Sequence, residues 1–149
     1  MRRFLNLFTG VWALGFLLDQ LSKQVAQTHL SFDEPWVVIP DRWVFQLVHN
    51  FGAAYGIFQN QRLFLVLFGT GVLFAILFFR KTLATSIWSK WALTFLVMGT
   101  CGNLLDRALH GYVIDFIYIY IFPVFNFADV YIDVGIALFF IELWVKPKT

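Results

Sequence analysis

Charge and cysteine are both scarce in this sequence. Only 13% of its 149 residues are charged, and Cys101 is its single cysteine. A lone thiol excludes a disulfide framework, and soluble domains average about 25% charged residues. The net charge of +2 is too small to predict a nucleic-acid partner. The length leaves no room for a second large domain. Together with the low charged fraction, it predicts that residues 1–149 form a single integral membrane domain.

Apolar residues are abundant instead. They make up 60% of the chain, and the mean hydropathy is +0.73. This composition predicts an all-α membrane protein with four transmembrane helices. The predicted spans run over about residues 4–23, 62–79, 91–108 and 123–145.

The first and third spans are short for membrane helices. Each contains an uncharged stretch of only 15 residues, 4–18 and 91–105. Because a span needs roughly 20 residues, each must extend into the polar positions that follow, and polar side chains are expected to converge near one membrane face. The first stretch also resembles a signal peptide, but no small-x-small cleavage site follows it, which favours an uncleaved span.

The connections between spans differ in character. Residues 24–61 form the longest one, and WVVI (36–39) and WVFQLVHN (43–50) within it have the composition of strands. We expect a small extracytoplasmic β-rich or amphipathic segment here, lying at the membrane interface. The alternative is an ordinary apolar loop packed on the helices. The connection 106–122 is predicted as a second outer loop.

Basic residues predict the orientation. Seven of the eleven lie in the N-terminal segment, in residues 80–90 or at the C-terminus. The positive-inside rule then places both termini in the cytoplasm and the polar cluster near the outer face.

Ionisable groups at membrane depth are functional candidates because they are costly unless paired. Three sets recur at helical spacing: Asp19 and Lys23; Asn103, Asp106 and Arg107; and Asn126, Asp129 and Asp133. The first set predicts an ion pair, whose role is either catalytic or topological. If the fourth span starts near Pro123, Asp133 lies about 15 Å deep.

The sequence lacks the motifs of most hydrolytic enzymes. The three histidines are scattered, there is no HExxH pair, and no nucleophile elbow is present. Carboxylate chemistry remains, in which two close aspartates share a proton. Asp115 and Asp129 are one of several acidic pairs that could approach each other.

Five sequence blocks narrow this choice. They are DQLSK (19–23), VHNFGAAYGIF (48–58), GTCGNLLDR (99–107), GYVIDF (111–116) and FNFAD (125–129). Together they resemble the lipoprotein signal peptidase (signal peptidase II) family, aspartyl endopeptidases of the bacterial cytoplasmic (inner) membrane. The resemblance implies cleavage of diacylglyceryl-modified prolipoproteins immediately before the lipid-modified cysteine, without a metal or another cofactor. Asp115 and Asp129 would form the catalytic dyad.

The same resemblance implies roles for other residues. Four are expected to line the site, namely Asn50, Asn103, Arg107 and Asn126. Three are expected to support it or to contact substrate, namely Asp19, Lys23 and Asp106. Asp133 belongs to none of the blocks and is predicted to be structural or to contact water.

The expected partners are lipid-modified prolipoprotein signal peptides and membrane phospholipids, with the protein acting as a monomer. Residues 24–61 and 106–122 could cover the site and hold substrate. The rival hypothesis is a small ion-coupled transporter or channel subunit that uses intramembrane carboxylates. A structural subunit whose polar residues join helices is a further alternative. Transporters commonly contain internal repeats, which this sequence lacks.

Overall fold

Four helices and a three-stranded sheet make up the fold. The computed structural model describes residues 2–145, with side chains from residue 7 onward. The elements are α1 (Arg2–His29), β1 (Trp36–Ile39), β2 (Trp43–Asn50), α2 (Arg62–Leu83), α3 (Ile87–Leu109), β3 (Val113–Ile119) and α4 (Phe127–Val145). A short 3₁₀ turn, Ala54–Gly56, lies between β2 and α2.

Helix α3 is the centre of the helical layer and packs against the other three helices. Glycines permit this close packing. A Cβ at Gly99 would overlap the carbonyl oxygen of Ala128, and one at Gly102 would lie 2.5 Å from Asp19 Oδ2. Small residues at such crossings let helix backbones approach each other. The polar residues of α1, α3 and α4 therefore come within hydrogen-bonding distance.

The sheet confirms two predicted strands and corrects one predicted loop. β1 pairs antiparallel with β2, and β2 pairs antiparallel with β3. The connection 106–122 is therefore not simply a loop, and the β-rich segment is not confined to the chain between the first two helices. Residues 113–117 are all buried, so this strand shows no period-2 alternation from which it could be recognised.

Helix α4 begins four residues later than predicted, at Phe127 instead of Pro123. Asn126 Oδ1 accepts a hydrogen bond from the backbone N–H of Asp129 (3.1 Å). In return, Asp129 Oδ2 accepts one from the backbone N–H of Asn126 (3.2 Å). This reciprocal capping box fixes the helix start. Asp133 consequently lies about 9 Å along α4 rather than 15 Å.

Within the described residues, α2 is the one helix that is long and apolar enough to cross a membrane by length and composition. The other three contain charged side chains along their length; α4, for example, carries Asp129, Asp133 and Glu142. The four-span topology therefore stays a prediction. Part of its support comes from the basic residues Arg2, Arg3, Lys146 and Lys148, whose side chains lie outside the described part of the chain.

Candidate active site

A buried lysine lies at the base of the polar cluster. Lys23 is 1% exposed. Its Nζ lies 2.9 Å from Asp19 Oδ2 and 2.9 Å from Asp106 Oδ2, and it donates a hydrogen bond to Asn103 Oδ1 (3.1 Å). An ammonium group has three protons, so each has an acceptor. The predicted ion pair between Asp19 and Lys23 is confirmed, and α3 supplies a second carboxylate.

The two carboxylates also hold neighbouring backbone. Asp19 Oδ1 accepts a hydrogen bond from the backbone N–H of Ala128 (2.8 Å), in the first turn of α4. Asp106 Oδ2 accepts one from the backbone N–H of Ile114 (3.2 Å), in β3. The Lys23 cluster, defined as Asp19, Lys23 and Asp106, thereby connects α1, α3, β3 and α4. It holds the backbone next to Asp115 and Asp129.

Two asparagines connect this cluster to the aspartates. Asn103 Oδ1 faces Lys23, so its Nδ2 is turned toward Asp129 Oδ1, to which it donates at 2.7 Å. Asn126 Nδ2 donates to Asp115 Oδ1 (2.6 Å) and to Asn103 Oδ1 (3.2 Å). The lysine therefore determines the orientation of the Asn103 amide, and the two amides together hold one oxygen of each carboxylate.

The sheet positions Asp115. Val48 pairs with Asp115, and Asn50 pairs with Val113. Asn50 and Asp115 are therefore diagonal neighbours on one face of the sheet, and Asn50 Nδ2 donates to Asp115 Oδ2 (2.9 Å). Asn50 Oδ1 accepts from the backbone N–H of Gly52 (2.9 Å), which closes a tight turn after β2. Each oxygen of Asp115 thus receives one amide hydrogen bond.

Burial controls the charge of Asp115, which is 2% exposed. Burial, followed by the nearby charge of Asp129, raises the pKa of Asp115 to about 7, against the opposing effects of its two amide hydrogen bonds and of Lys23. Carboxylates that interact in this way do not both ionise readily, so the pair tends to share one proton. Such a pair can accept one proton and donate another near neutral pH.

Arg107 supplies positive charge beside the aspartates. Its Nη2 donates to the carbonyl oxygen of Gly52 (2.7 Å), so the turn after β2 is held against α3. Arg62 donates to the carbonyl oxygens of Arg107 (3.0 Å) and Ala108 (2.8 Å) at the end of α3. Arg107 Nε is buried without a hydrogen-bond partner in the described structure.

A cavity of about 880 Å³ opens beside the aspartates. Its polar lining includes Asn50, Asn103, Arg107, Asp115 and Asp129. Of the residues predicted to line the site, Asn126 is fully buried behind the cavity, where it acts through its hydrogen bonds. The Lys23 cluster is likewise absent from the lining among the described residues, which agrees with a supporting position.

His49 and Asp133 are among the lining residues that the sequence did not assign to the site. His49 lines the cavity and stacks on Tyr112 with ring centroids 3.8 Å apart. Burial, and then the charge of His110, lowers the pKa of His49, which favours its neutral imidazole. The sequence signal for His49 is its position next to Asn50, which is predicted to line the site. Asp133 also lines the cavity. Over the described range, no group of three or more His, Cys, Asp or Glu residues could hold a metal ion.

Four helices and a three-stranded sheet thus enclose two aspartates that line one cavity. Comparison with known proteins identifies the family to which this fold and site belong. A family model described as signal peptidase (SPase) II matches residues 11–145. A lipoprotein signal peptidase from Clostridium tetani is 38% identical over 136 residues, covering 86% of each chain. One from Teredinibacter turnerae is 41% identical over 138 residues, covering 87% of this chain and 82% of its own.

A solved structure described as a bacterial membrane enzyme is similar throughout. Its TM-score is 0.89 at 29% sequence identity, over 98% of this chain and 95% of its own. The present chain belongs to the signal peptidase II family.

Proposed function

We propose that this chain is an aspartic endopeptidase with Asp115 and Asp129 as its catalytic dyad. It removes the signal peptide from diacylglyceryl-modified prolipoproteins immediately before the lipid-modified cysteine. The observation that carries this proposal is the pair of aspartates, each held by asparagine amides and both lining one cavity. The lipoprotein signal peptidases among its relatives support the choice of substrate. Membership of a peptidase family also disfavours an ion-coupled transporter.

The chemistry requires two carboxyl groups and one water. One carboxylate takes a proton from the water, which attacks the scissile carbonyl carbon, while the other carboxyl group donates its proton to the carbonyl oxygen. The tetrahedral intermediate then collapses as a proton moves to the leaving nitrogen, which becomes the amine of the lipid-modified cysteine. Asn50, Asn103 and Asn126 keep the carboxyl oxygens oriented throughout.

The membrane explains why such a site suits this substrate. With four spans and cytoplasmic termini, the aspartates lie near the outer face of the bacterial inner membrane. A signal peptide and the acyl chains of the lipid are both apolar, so the scissile bond can reach the cavity laterally without leaving the bilayer. Membrane phospholipids surround the single domain, which acts as a monomer.

Residues 24–61 serve as a cover over the bound substrate. Ala53, Tyr55 and Gln59 from this segment line the cavity. Tyr55 and Phe58 have positive φ angles of 57° and 58°, a conformation that is uncommon for residues other than glycine. Such strain persists where the surroundings hold it and is common at ligand clamps.

The test is cleavage by the purified protein in lipid vesicles. A diacylglyceryl-modified precursor peptide is added, and the released signal peptide is measured by mass spectrometry. We expect cleavage at the bond before the modified cysteine, and none with an otherwise identical peptide that lacks the lipid. Cleavage of neither peptide, or equal cleavage of both, would contradict the proposal.

A further inference from the structure

The cavity contains a third carboxyl group that the proposed mechanism does not use. Asp133 lies on α4, one helical turn after Asp129, and both residues line the same cavity. Its side chain is exposed, and among the residues that the structure describes it has no hydrogen bond or ion pair, whereas Asp129 on the same helix forms both a capping bond and a bond to Asn103. Both of its oxygens are therefore available to a bound molecule, whereas the oxygens of Asp115 and Asp129 already accept hydrogen bonds from amide groups.

The wall around Asp133 is otherwise apolar. Val130, Ile132 and Val134 of α4 line the cavity beside it, together with Phe122. Aliphatic and phenyl side chains cannot accept a hydrogen bond. A donor that reaches this wall therefore finds its acceptor in the carboxylate of Asp133.

An extended peptide supplies such donors. The dyad and a water molecule can reach a peptide carbonyl only where the substrate backbone is unwound from its helix. Unwinding frees backbone N–H groups, and an unsatisfied N–H in an apolar environment is costly. The residues before the cleaved bond face this cost most strongly, because they come from the membrane-embedded part of the signal peptide.

Asp133 lies on the membrane side of the dyad. Helix α4 runs inward from Phe127 in the proposed topology, so Asp133 is about 6 Å deeper than Asp129. We propose that Asp133 determines substrate affinity: its carboxylate accepts a hydrogen bond from a backbone N–H of the unwound signal peptide, on the N-terminal side of the cleaved bond. This role rests on the proposed function.

Ester substitution in the substrate tests this hydrogen bond directly. In a series of lipid-modified precursor peptides, each amide before the cleaved bond is replaced in turn by an ester, which removes one N–H. With the wild-type protein, one of these esters should lower kcat/KM about tenfold, mainly through KM. Asp133→Leu should lower kcat/KM for the all-amide peptide by a similar factor and show no further loss with that ester. Asp133→Asn keeps an acceptor oxygen and should lose less.

Lys81→Leu is the matched control, because it removes an exposed charged side chain on α2 that lies outside both the cavity lining and residues 24–61, and it should cleave all peptides like the wild type. The proposal is overturned if no ester lowers kcat/KM of the wild type, or if Asp133→Leu keeps the full kcat/KM for the all-amide peptide. It is also overturned if every ester lowers kcat/KM of Asp133→Leu by as much as it lowers that of the wild type. If Asp133→Leu fails to fold, Asp133→Ala takes its place, with the same expected loss for the all-amide peptide and the same absence of further loss with that ester.

A failure of the proposed function would be visible separately, as an absence of cleavage by the wild type. In that event, the affinity of the all-amide peptide for wild-type and Asp133→Leu protein is measured by calorimetry in vesicles. A roughly tenfold weaker affinity of the variant supports the hydrogen bond, and equal affinities overturn it.

Discussion

At the scale of single residues, Asp115 and Asp129 should each be indispensable for cleavage. Asparagine preserves the shape of either side chain but cannot exchange a proton with water. Asp115→Asn and Asp129→Asn should each lower the cleavage rate by about 10²–10⁴-fold. The double variant should be no worse than the poorer single variant, because the two groups act as a unit. The measurement is release of signal peptide by each purified variant.

The controls separate catalysis from folding. Lys81→Met, at an exposed position on α2, should cleave normally. Asp106→Asn and Asp133→Asn should retain measurable turnover, since neither aspartate belongs to the dyad. A melting curve for each variant shows whether the fold is intact. Near-normal turnover by a folded Asp115→Asn or Asp129→Asn variant would falsify the dyad.

The raised pKa of Asp115 also predicts how stability depends on pH. Its value of about 7, against 3.8 for the free group, means that between these values the folded state binds more protons than the unfolded state. The free energy of unfolding should therefore fall as pH rises from about 4 to about 7. At about 1.4 kcal/mol per unit of pKa shift, the Asp115 contribution is about 1–4 kcal/mol.

Asp115→Asn carries no titratable proton at this position, so its free energy of unfolding should fall less steeply over this pH range than that of the wild type. Denaturant titrations in detergent at about pH 4 and about pH 8 measure the difference. Equal slopes for Asp115→Asn and wild type would show that Asp115 ionises normally in the folded protein.

Lys23 should matter for stability more than any exposed lysine. Lys23→Met leaves Asp19 and Asp106 buried without their cation, and breaking a buried ion pair in this way typically costs about 3–5 kcal/mol. Lys81→Met, at an exposed position on α2, is the matched control and should change stability little. Denaturant midpoints of the two variants give the comparison. Similar midpoints would show that the Lys23 cluster contributes little to the fold.

At the scale of elements, the cover formed by residues 24–61 gives a further prediction. A deletion within residues 30–40 shortens β1 or the segment that leads into it, and so disturbs the edge of the sheet. It removes none of the buried side chains that the structure describes. We expect kcat/KM to fall about tenfold while the melting temperature changes by only a few degrees. Cleavage kinetics and a melting curve of the same preparation measure both. Cleavage at the full rate after such a deletion would show that residues 24–61 do not act as a cover over the substrate.

Three elements, β2, β3 and α4, differ in how well the sequence predicts them. β2 was recognisable from its β-branched and aromatic residues. β3 was not, because burial on both faces removes the polar positions that mark one side of a strand. Helix α4 starts at Phe127 rather than at Pro123 because Asn126 and Asp129 cap it, in addition to their places in the site. Their three-residue spacing is also that of a helix cap, and this signal was present in the sequence.

At the scale of the whole molecule, orientation in the membrane is the main prediction. Reporter fusions at the C-terminus and within residues 80–90 should be active only in the cytoplasm, because most basic residues lie in those segments and at the N-terminus. A fusion within residues 30–40 should be active only outside, and it serves as the internal control. A C-terminal reporter that is active outside the cytoplasm would overturn the four-span topology.

The four helices, two strands and the residues proposed for the site follow from the sequence alone. Helical spacing alone makes Asp19 and Lys23 neighbours, because residues four apart share one face of a helix. Contacts between elements required the tertiary structure, since no spacing along the chain brings Lys23 to Asn103 or Asn50 to Asp115. Close packing at Gly99 and Gly102 and the register of β2 with β3 decided those contacts. The same packing left Asp133 facing the cavity without a described partner, which is why its proposed role emerged only from the structure.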